Sequence, residues 1–518
     1  MSRHDDGVVR HISRRHVLTI AAVGFVAAGC APIAATPRPT PRPVGSPDWA
    51  ALASRLNGTI ARAGEAGYDT VRVTENPRWD DARPLAVLTA ASAADVAAGV
   101  AFAVKYGLPI ALRSGGHSYP GYSAGGAAGT GVKPSLVIDS RGMKDVAIAA
   151  DNSVRIGAGA SLAQVYDALG SAGRSLAGGS CATVGITGLT LGGGVGVLVR
   201  AYGLTCDSLT EVELVTADGS VKTANATTNP DLFWACRGGG GGHLGVVTAL
   251  TFVTQPAPDV TMFSLSWPFS SAAAVIKAWQ AWAPAADPKL WSTLKLLNGP
   301  AYTGGPGVFV AGTWLGDHAA LPAQLASFIA AAGRPSKNGS SQHNYRDAMM
   351  SYAGCSNIPV TECTTDPGGK LSRESFSATS HVAYTVLDDA GIQALIEKVV
   401  AAKGIAGMRE GGVSMDALGG AVARIAPAAT AFPHRSALMT VQYTATFHDG
   451  ADPAPLDAFV RGFRTALTSA WGDGAYVNYA DPTLANPNRS YFGDNAARLA
   501  SVRKKYDPDG HFPQPQSY

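Results

Sequence analysis

Charged residues are scarce in this sequence, and the two signs nearly cancel. Lysine, arginine, aspartate and glutamate supply 15% of the 518 residues, and the formal net charge at pH 7 is only +3. A fold that binds nucleic acid or an anionic membrane surface normally carries a large or clustered positive charge. We therefore expect no nucleic-acid partner and no basic membrane-binding patch.

Three further signatures are missing. The sequence contains no CxxC and no HExxH pattern, so no metal site is expected. No segment repeats along the chain, which argues against a solenoid or a propeller. Residues 17–28 form an apolar run, but this run is short and rich in alanine and glycine, so it makes a poor transmembrane helix.

Cysteine is also infrequent, with six residues in the whole chain. Cys355 and Cys363 flank a short polar loop that contains proline, so they either form a local disulfide or stay free. A local disulfide would suit a protein that works outside the reducing cytoplasm.

The first thirty residues are typical of a targeting segment. Arg14 and Arg15 precede the apolar run in SRRHVL, which resembles a twin-arginine export signal. AAGC, ending at Cys30, resembles a lipoprotein cleavage box in which Ala27 replaces the usual leucine. We expect export, with membrane attachment if Cys30 is lipidated. Residues 31–48 are rich in proline and predict an extended tether.

The rest of the chain mixes helix and strand patterns, which predicts an α+β protein. Residues 49–255 alternate short strands and helices with glycine loops, starting with a helix over 49–66. Residues 256–465 alternate longer strands with helices, which predicts an antiparallel sheet backed by helices. Residues 466–518 form a third segment, rich in tyrosine and turn residues.

Glycine is abundant, with 61 residues, and much of it lies in two clusters. The first, RSGGHSYPGYS at 113–123, is either a tight turn with a surface histidine, His117, or a loop whose backbone N–H groups bind an anion such as phosphate. The second, at 178–209, contains Cys181, which by itself could be a buried small hydrophobe. Its glycine spacing does not fit the GxGxxG nicotinamide fingerprint.

Five motifs in combination resemble one known family. They are, in chain order, RSGGHSY, GGSCxTVGxxGxxLGGGxGxLxRxYGLxxD, PDLFWAxRGGGGGxxGVVT, YxNYxD and YFGxNxxRL. Together they resemble the berberine bridge enzyme-like flavoprotein oxidases, over nearly all of the chain from about residue 75 to Tyr518. The resemblance implies a two-part FAD-binding domain of the vanillyl-alcohol oxidase and p-cresol methylhydroxylase type. It also implies a substrate domain and a C-terminal segment that returns to the FAD-binding domain.

By this resemblance the cofactor is FAD, attached at two points. His117 would bond through its ring to the flavin 8α carbon, and Cys181 would bond through sulfur to flavin C6. Both side chains are suitable nucleophiles for an electrophilic isoalloxazine ring. The resemblance implies further cofactor contacts by Arg113, Ser114, Gly115, Gly116, Ser118 and Tyr119 around the pyrophosphate, by Val184, Gly185, Gly188, Gly193, Gly194, Gly196 and Asn478 near the flavin or adenine, and by Gly245 and Val246 on the adenine side.

Two residues are candidates for the catalytic step. Tyr479 matches the position that serves as catalytic base in several family members, and Gln442 matches a residue that faces the substrate. A tyrosine can act as a base only if a charge or hydrogen bond lowers its pKa from about 10. The alternative interpretations are a packed aromatic residue for Tyr479 and an ordinary sheet amide for Gln442.

Four positions bear on how this chain compares with the family. Val195 stands where many relatives place an aromatic residue beside the flavin, so that contact is missing or moved. His243 replaces a common asparagine and would serve as a polar adapter. Cys206 replaces valine or threonine and is expected in the core. Val184 matches the family, in which valine accompanies oxygen access, so an oxidase is favoured over a dehydrogenase.

The sequence therefore predicts an exported FAD-dependent oxidase of a small-molecule alcohol, possibly a carbohydrate or glycosylated hydroxyl. Tyr479 would take the substrate proton, flavin N5 would take the hydride, and molecular oxygen would reoxidise the flavin to give hydrogen peroxide. The enzymatic alternatives are a secondary-metabolite oxidase and a dehydrogenase that uses a quinone or protein acceptor. A binding lipoprotein without activity is the alternative of a different class, but it would have no use for His117 or Cys181.

Overall fold

A computed structural model describes residues 45–518 of the protein. The predicted export signal, and all but the last four residues of the predicted proline-rich tether, lie outside these described residues. Within residues 45–518, no helix is long and apolar enough to cross a membrane. In the same range, no group of three or more histidine, cysteine, aspartate or glutamate side chains could hold a metal ion.

The described chain mixes many short strands with helices of up to 18 residues. The strands are β1 Thr59–Ala61, β2 Ala86–Thr89, β3 Ile110–Arg113, β4 Leu136–Asp139, β5 Val146–Ile148, β6 Ser153–Gly157, β7 Arg174–Ser175, β8 Leu209–Val215, β9 Val221–Asn225, β10 Val246–Val253, β11 Gln255–Pro256, β12 Asp259–Trp267, β13 Leu290–Asn298, β14 Gly307–Trp314, β15 Lys337–Asn344, β16 Ser375–Ala383, β17 Met408–Ala417 and β18 Met439–Phe447. The helices are α1 Trp49–Ala53, α2 Tyr68–Val71, α3 Ala93–Tyr106, α4 Leu162–Ser171, α5 Ile186–Leu191, α6 Val199–Tyr202, α7 Pro230–Ala235, α8 Ala272–Trp282, α9 Leu321–Ala332, α10 Tyr345–Tyr352, α11 Asp389–Ala401, α12 Ala454–Trp471, α13 Pro487–Phe492 and α14 Ala496–Tyr506.

Two larger sheets and the two-stranded pair β11-β7 form the N-terminal half of the described chain. The first has the order β1-β2-β4-β3, with β2, β4 and β3 parallel, and the second is antiparallel with the order β5-β6-β10-β8-β9. Helix α3 begins at Ser92, whose hydroxyl accepts the N–H of Asp95, and it ends at Gly107 in the left-handed conformation. This helix lies between β2 and β3 in the chain and allows them to run parallel.

The prediction of a helix over 49–66 was wrong beyond the first turn. Helix α1 ends at Ala53, and Thr59–Ala61 is an edge strand antiparallel to β2. The buried Asp95 carboxylate accepts the backbone N–H groups of Asn57 and Gly58. These tertiary bonds stabilise an extended segment, so they override the local helix preference.

The third sheet is antiparallel and has seven strands in the order β15-β12-β14-β13-β17-β18-β16. The apolar residues that alternate along β13, β14, β17 and β18 lie in one buried cluster with residues of α8, α11 and α12. Because alternate strand residues point to opposite faces, the other face of this sheet carries the remaining side chains, many of them polar. We call it the polar face; it includes Lys295, Ser414, Asp416 and Gln442.

The C-terminal tail shares a hydrophobic cluster with the first two sheets, through residues such as Tyr476, Phe492 and Phe512. Helix α12 runs through the boundary predicted at 465/466, so a division of the chain would fall after this helix. The other predicted segment boundaries stay predictions.

Of the two alternatives left open by the sequence, Cys355 and Cys363 form a disulfide, with the two Cα atoms 5.9 Å apart. Both cysteines are buried in a small cluster with Ala182, the neighbour of Cys181. The cross-linked loop therefore packs directly against the second glycine loop.

Candidate active site

Two glycine loops interlock at the centre of the site. A side chain at Gly115, in the loop after β3, would clash with the backbone of Thr183 and Gly185, in the loop before α5. A side chain at Gly185 would clash with the first loop in the same way. The close approach depends on these facing glycines, and it places His117 next to Thr183.

Both loops carry backbone N–H groups without a protein acceptor. Within residues 45–518, no backbone N–H from Gly115 to Tyr119 or from Ser180 to Val184 donates a hydrogen bond to the protein. Backbone donors in folded proteins are normally paired, and glycine-rich turns with free N–H groups bind anions such as phosphate. These loops therefore fit a cofactor that carries a pyrophosphate and hydrogen-bond acceptors, as FAD does.

His117 is held at the junction of the two loops. Its Nε2 lies 2.8 Å from Thr183 Oγ1 and 3.9 Å from Glu75 Oε2, and a quarter of its side chain is exposed. Burial lowers the pKa of His117 to about 4. The imidazole is therefore neutral at pH 7 and keeps a lone pair on one ring nitrogen, as a nucleophile requires.

Glu75 belongs to the same network, although no motif indicated it. Its Oε1 accepts a hydrogen bond from Thr365 Oγ1 at 2.7 Å. Burial raises the pKa of the Glu75 carboxyl, whereas hydrogen bonds from Thr365 and Thr183 lower it. Thr365 follows Cys363 closely in the chain, so the disulfide loop positions this carboxylate. A contact between residues 290 positions apart has no local signal in the sequence.

Cys181 presents a free and exposed thiol at the same site. The protein atoms around the thiol raise its pKa; the positive charge of Lys295 opposes this effect, and the negative charge of Glu75 adds to it. The charge of Cys181 in turn contributes to raising the pKa values of Tyr119 and Tyr479, so all three side chains are neighbours.

An aromatic cluster faces this thiol. The rings of Tyr119 and Tyr479 stack with centroids 5.5 Å apart and an angle of 7° between their planes. Phe376 packs edge-on against Tyr119 with centroids 5.0 Å apart. Gln442 Nε2 donates a 2.6 Å hydrogen bond to the Tyr119 hydroxyl. The structure thus brings both predicted catalytic residues together and places the Tyr119 ring beside them rather than along the pyrophosphate loop.

The two stacked phenols hold their protons firmly. Burial is the main cause that raises the pKa of Tyr479 well above its ordinary value, and the charges of Tyr119 and Asp416 add to it. Burial likewise raises the pKa of Tyr119, although the bond from Gln442 lowers it. The lowered pKa that a free phenolate base would need is therefore not produced by the protein groups around Tyr479.

Asp416 on the polar face was not indicated by the sequence either. Burial raises the pKa of its carboxyl, whereas a hydrogen bond from Thr293 and the charge of Lys295 lower it. Its cross-strand neighbours are Thr293 and Thr440, and the buried hydroxyl of Thr440 has no hydrogen-bond partner within the described chain. Buried polar groups are normally satisfied, so this row of the sheet is suited to contact a polar ligand.

Tyr476, in the tail, supports the glycine loop after α5. Its hydroxyl accepts the backbone N–H groups of Gly194 and Val195 at 3.0 and 3.1 Å and the amide of Asn478 at 2.9 Å. The Asn478 amide also donates to Leu189 O at 2.9 Å. Asn478 was predicted to contact the cofactor, but its side-chain N–H groups donate to the protein instead. These bonds hold the tail against the loop.

Replacing Tyr476 with phenylalanine is expected to lower the free energy of unfolding by about 2 kcal/mol, because two buried backbone donors would lose their acceptor. Denaturant unfolding of the full chain measures this change. The control is Tyr106→Phe, because the Tyr106 hydroxyl makes no hydrogen bond within the described chain. Equal stability of the two variants would contradict the assigned role.

Arg113 differs from its prediction, because its guanidinium is fully buried and committed to the protein. It donates to the backbone carbonyls of Val71, Arg72 and Ser123 at 2.6–3.0 Å, and it lies 3.4 Å from Asp139. Burial lowers its pKa to about 10, which still leaves it charged at pH 7. Arg113 therefore anchors the loop, and its neighbours rather than its own side chain face the site.

The other predicted cofactor residues lie in or beside the two loops or at the start of β10. The Ser114 hydroxyl donates to Ala158 O, and the Ser118 hydroxyl accepts the N–H of Tyr122. Gly193, Gly194 and Gly196 lie where a side chain would press on other parts of the protein. The remaining positions, whose contacts with a cofactor stay predictions, are Gly116, Val184, Gly188, Gly245 and Val246.

Cys206, Val195 and His243, where the sequence departs from the motifs of the resembled family, differ in their surroundings. Cys206 is fully buried, as expected of a core residue. Val195 is buried beside the loop that Tyr476 holds. His243 lies against the end of the chain, with Nδ1 3.1 Å from Ser517 Oγ and its ring 4.8 Å from that of Tyr518.

Comparison with known families supports the interpretation that the two glycine loops bind FAD. Residues 84–225 match the model of the FAD binding domain family, and residues 475–517 match that of the berberine and berberine-like family. The first match contains both glycine loops, and the second contains Tyr476, Asn478 and Tyr479.

Individual relatives match over almost the whole chain. The FAD-linked oxidoreductase YgaK of Bacillus subtilis is 31% identical over 90% of this chain and 97% of its own. The chitooligosaccharide oxidase of Gibberella zeae is 30% identical over 84% of this chain and 87% of its own. The solved structure of glucooligosaccharide oxidase from Acremonium strictum superposes with a TM-score of 0.78 at 27% identity, covering 91% of this chain and 99% of that one. Its title describes a 6-S-cysteinyl, 8α-N1-histidyl FAD.

The fold and the site define a flavin-dependent oxidoreductase. More particularly, the chain belongs to the berberine bridge enzyme-like family of FAD-linked oxidases. The α+β fold predicted from the sequence and the expected FAD-binding domain are both confirmed.

Proposed function

We propose that the protein is an exported oxidase that oxidises a hydroxyl group of a carbohydrate and carries FAD on His117 and Cys181. The observation that carries this proposal is the arrangement of the site. A neutral histidine and a free thiol lie on two interlocked glycine loops, and the thiol neighbours the Tyr119–Tyr479–Gln442 group. Relatives named as oligosaccharide oxidases support the substrate class.

His117 and Cys181 would hold the cofactor covalently, and the N–H groups of the two loops would bind its pyrophosphate and ring edges. Bound FAD would supply a hydride acceptor and would pass the two electrons to oxygen, giving hydrogen peroxide. Val184, half-buried in the second loop, would favour oxygen as the acceptor, as the family resemblance implies. Glu75, 3.9 Å from the imidazole, would position His117 and stabilise positive charge on it.

The polar face would orient the substrate. Gln442 holds Tyr119 by its hydroxyl, and the flat stacking of Tyr119 on Tyr479 fixes the position of the phenol that would receive the substrate proton. Because the phenol is protonated at rest, we propose that its own proton leaves as the substrate proton arrives. Asp416, whose charge acts on Tyr479 from the polar face, would be the acceptor.

The proposal is tested by the visible spectrum of the purified protein before and after acid precipitation. Yellow colour that stays in the pellet is expected, because covalent flavin survives denaturation. Peroxide release is then measured with cellobiose, chitobiose and xylobiose, and at least one should give peroxide with equal oxygen uptake. Colour in the supernatant would remove the covalent roles. Reduced flavin that is reoxidised by a quinone and not by oxygen would indicate a dehydrogenase.

Export remains a proposal that rests on Arg14, Arg15 and the apolar run after them. An enzyme outside the cytoplasm has no supply of FAD, so a covalently held cofactor suits that location. Separation of culture medium, membrane and cytoplasm would place the protein. Recovery in the membrane fraction would add support for a lipid on Cys30.

A further inference from the structure

A single row of side chains crosses the polar face from the catalytic group to the sheet edge. Gln442 on β18 is paired with Ser414 on β17, and Ser414 is paired with Lys295 on β13. Lys295 is paired with Phe309 on β14, Phe309 with Ser266 on β12, and Ser266 with Lys337 on the edge strand β15. Directly paired residues lie side by side on one face of a sheet. These side chains therefore form a continuous line that starts at Gln442, which donates a hydrogen bond to Tyr119.

Lys295 and Phe309 are exposed, because this part of the polar face is not covered by the first two sheets. Trp291, four residues before Lys295 on the same face, is buried in the cluster of the first two sheets. Lys295 itself is exposed, and Phe309 keeps 38% of its surface exposed. An exposed aromatic ring beside a row of polar side chains is available to pack against a bound ligand.

The Lys295 ammonium has no carboxylate partner. Within residues 45–518, no aspartate or glutamate oxygen lies within 4.0 Å of it. Asp416 on β17 is the diagonal neighbour of Lys295 on β13. The charge of Lys295 lowers the pKa of Asp416, although the two side chains form no ion pair. The ammonium is therefore free to pair with an anionic ligand group.

The spacing of the row fits an extended ligand. Adjacent strands lie about 4.8 Å apart, so Lys295 stands about 10 Å and Phe309 about 14 Å from Gln442. A substrate that places its reacting sugar at Gln442 and Tyr479 would bring its next units over Ser414, Lys295 and Phe309 in turn. Aromatic rings pack against the apolar faces of sugar rings, and a lysine ammonium pairs with carboxylates.

We propose that Lys295 and Phe309 form an outer subsite that selects a substrate with a carboxylate-bearing sugar unit, as in uronic acid oligosaccharides. This inference rests on the proposed oxidation of carbohydrates. Lys295 pairs with the carboxylate, and Phe309 packs beneath the same or the following unit. Lys295 and Phe309 are thus specificity-determining residues, distant from the reacting carbon.

The test compares sugars that differ only in this group. Cellotriose and the trisaccharide with glucuronate in place of its non-reducing glucose are measured with the flavin-loaded protein for kcat/KM and for equilibrium binding. The wild-type protein should prefer the acidic sugar about tenfold in both. Lys295→Gln should bring the ratio of acidic to neutral sugar close to one, and Lys295→Arg should restore most of it.

Two further variants sharpen the result. Lys403→Gln, in the short turn after α11 on the other face of the sheet, removes the same charge and should leave the ratio unchanged, which separates a local contact from the general field of the protein. Phe309→Ala should raise KM for both sugars several-fold with little change in kcat, and Phe309→Tyr should reverse this.

A wild-type ratio of one, or a preference that survives in Lys295→Gln, would overturn the inference. Selective binding of the acidic sugar without turnover of either would support the subsite and overturn the proposed oxidation of these sugars. Binding of neither sugar would overturn both.

Discussion

Tyr479→Phe is expected to slow reduction of the flavin by substrate by a factor of about a hundred or more, because the variant loses the oxygen that accepts the substrate proton. Phenylalanine keeps the ring that stacks on Tyr119, so the aromatic cluster should stay intact. Stopped-flow absorbance under anaerobic conditions measures the reduction step directly. Tyr202→Phe is the control, because it removes a hydroxyl from a tyrosine of α6 outside this cluster.

The pH dependence of the same reaction tests the route of the proton. If Asp416 receives it, the carboxylate is active only above its raised pKa, so the reduction rate should fall as pH decreases through that value. Asp416→Asn should remove this acidic limb and leave a slow rate that is insensitive to acid. Unchanged reduction in Tyr479→Phe would remove Tyr479 from the mechanism and leave it as a packed aromatic residue.

Replacing both His117 and Cys181 with alanine should release all of the flavin on acid precipitation, whereas each single variant should retain it through the remaining bond. The reason is that each nucleophile supplies one independent attachment. The supernatant absorbance after precipitation, together with the mass of the intact chain, measures both outcomes. A double variant whose mass still includes FAD would show that the attachment residues lie elsewhere.

Matched controls separate attachment from general damage to the fold. Cys236→Ala removes a buried free thiol of the same region, and His343→Ala removes a histidine on β15. Both should keep the flavin in the pellet. Because Thr183 and Glu75 surround the His117 ring, Glu75→Gln should slow the histidine attachment. The cysteine bond should still form, because loss of the Glu75 charge removes one cause that raises the pKa of Cys181.

Local motifs carried much of the prediction, and the reason is visible at the glycine loops. RSGGHSYPGYS and the segment around Cys181 each contain several glycines and one nucleophile, so each loop has a sufficient local signal. The close fit between the two loops, with Gly115 facing Gly185, appears only in the structure. The helix predicted over 49–66 failed because Asp95, nearly forty positions further along, binds the N–H groups of Asn57 and Gly58. Arg113 was misjudged because its surroundings, and not its motif, direct its donors into the protein.

From the sequence alone came the α+β class, the FAD-binding loops, the residues proposed to hold the flavin, and the pairing of Tyr479 with Gln442 as catalytic candidates. These features are carried by contiguous motifs. Tertiary structure decided the placement of Glu75 beside His117, the support of the glycine loop by Tyr476, the neighbourhood of Asp416, and the row that leads to Lys295 and Phe309. Each of these depends on strand register and packing between positions far apart in the chain, and a pattern read along the sequence contains no information about that register.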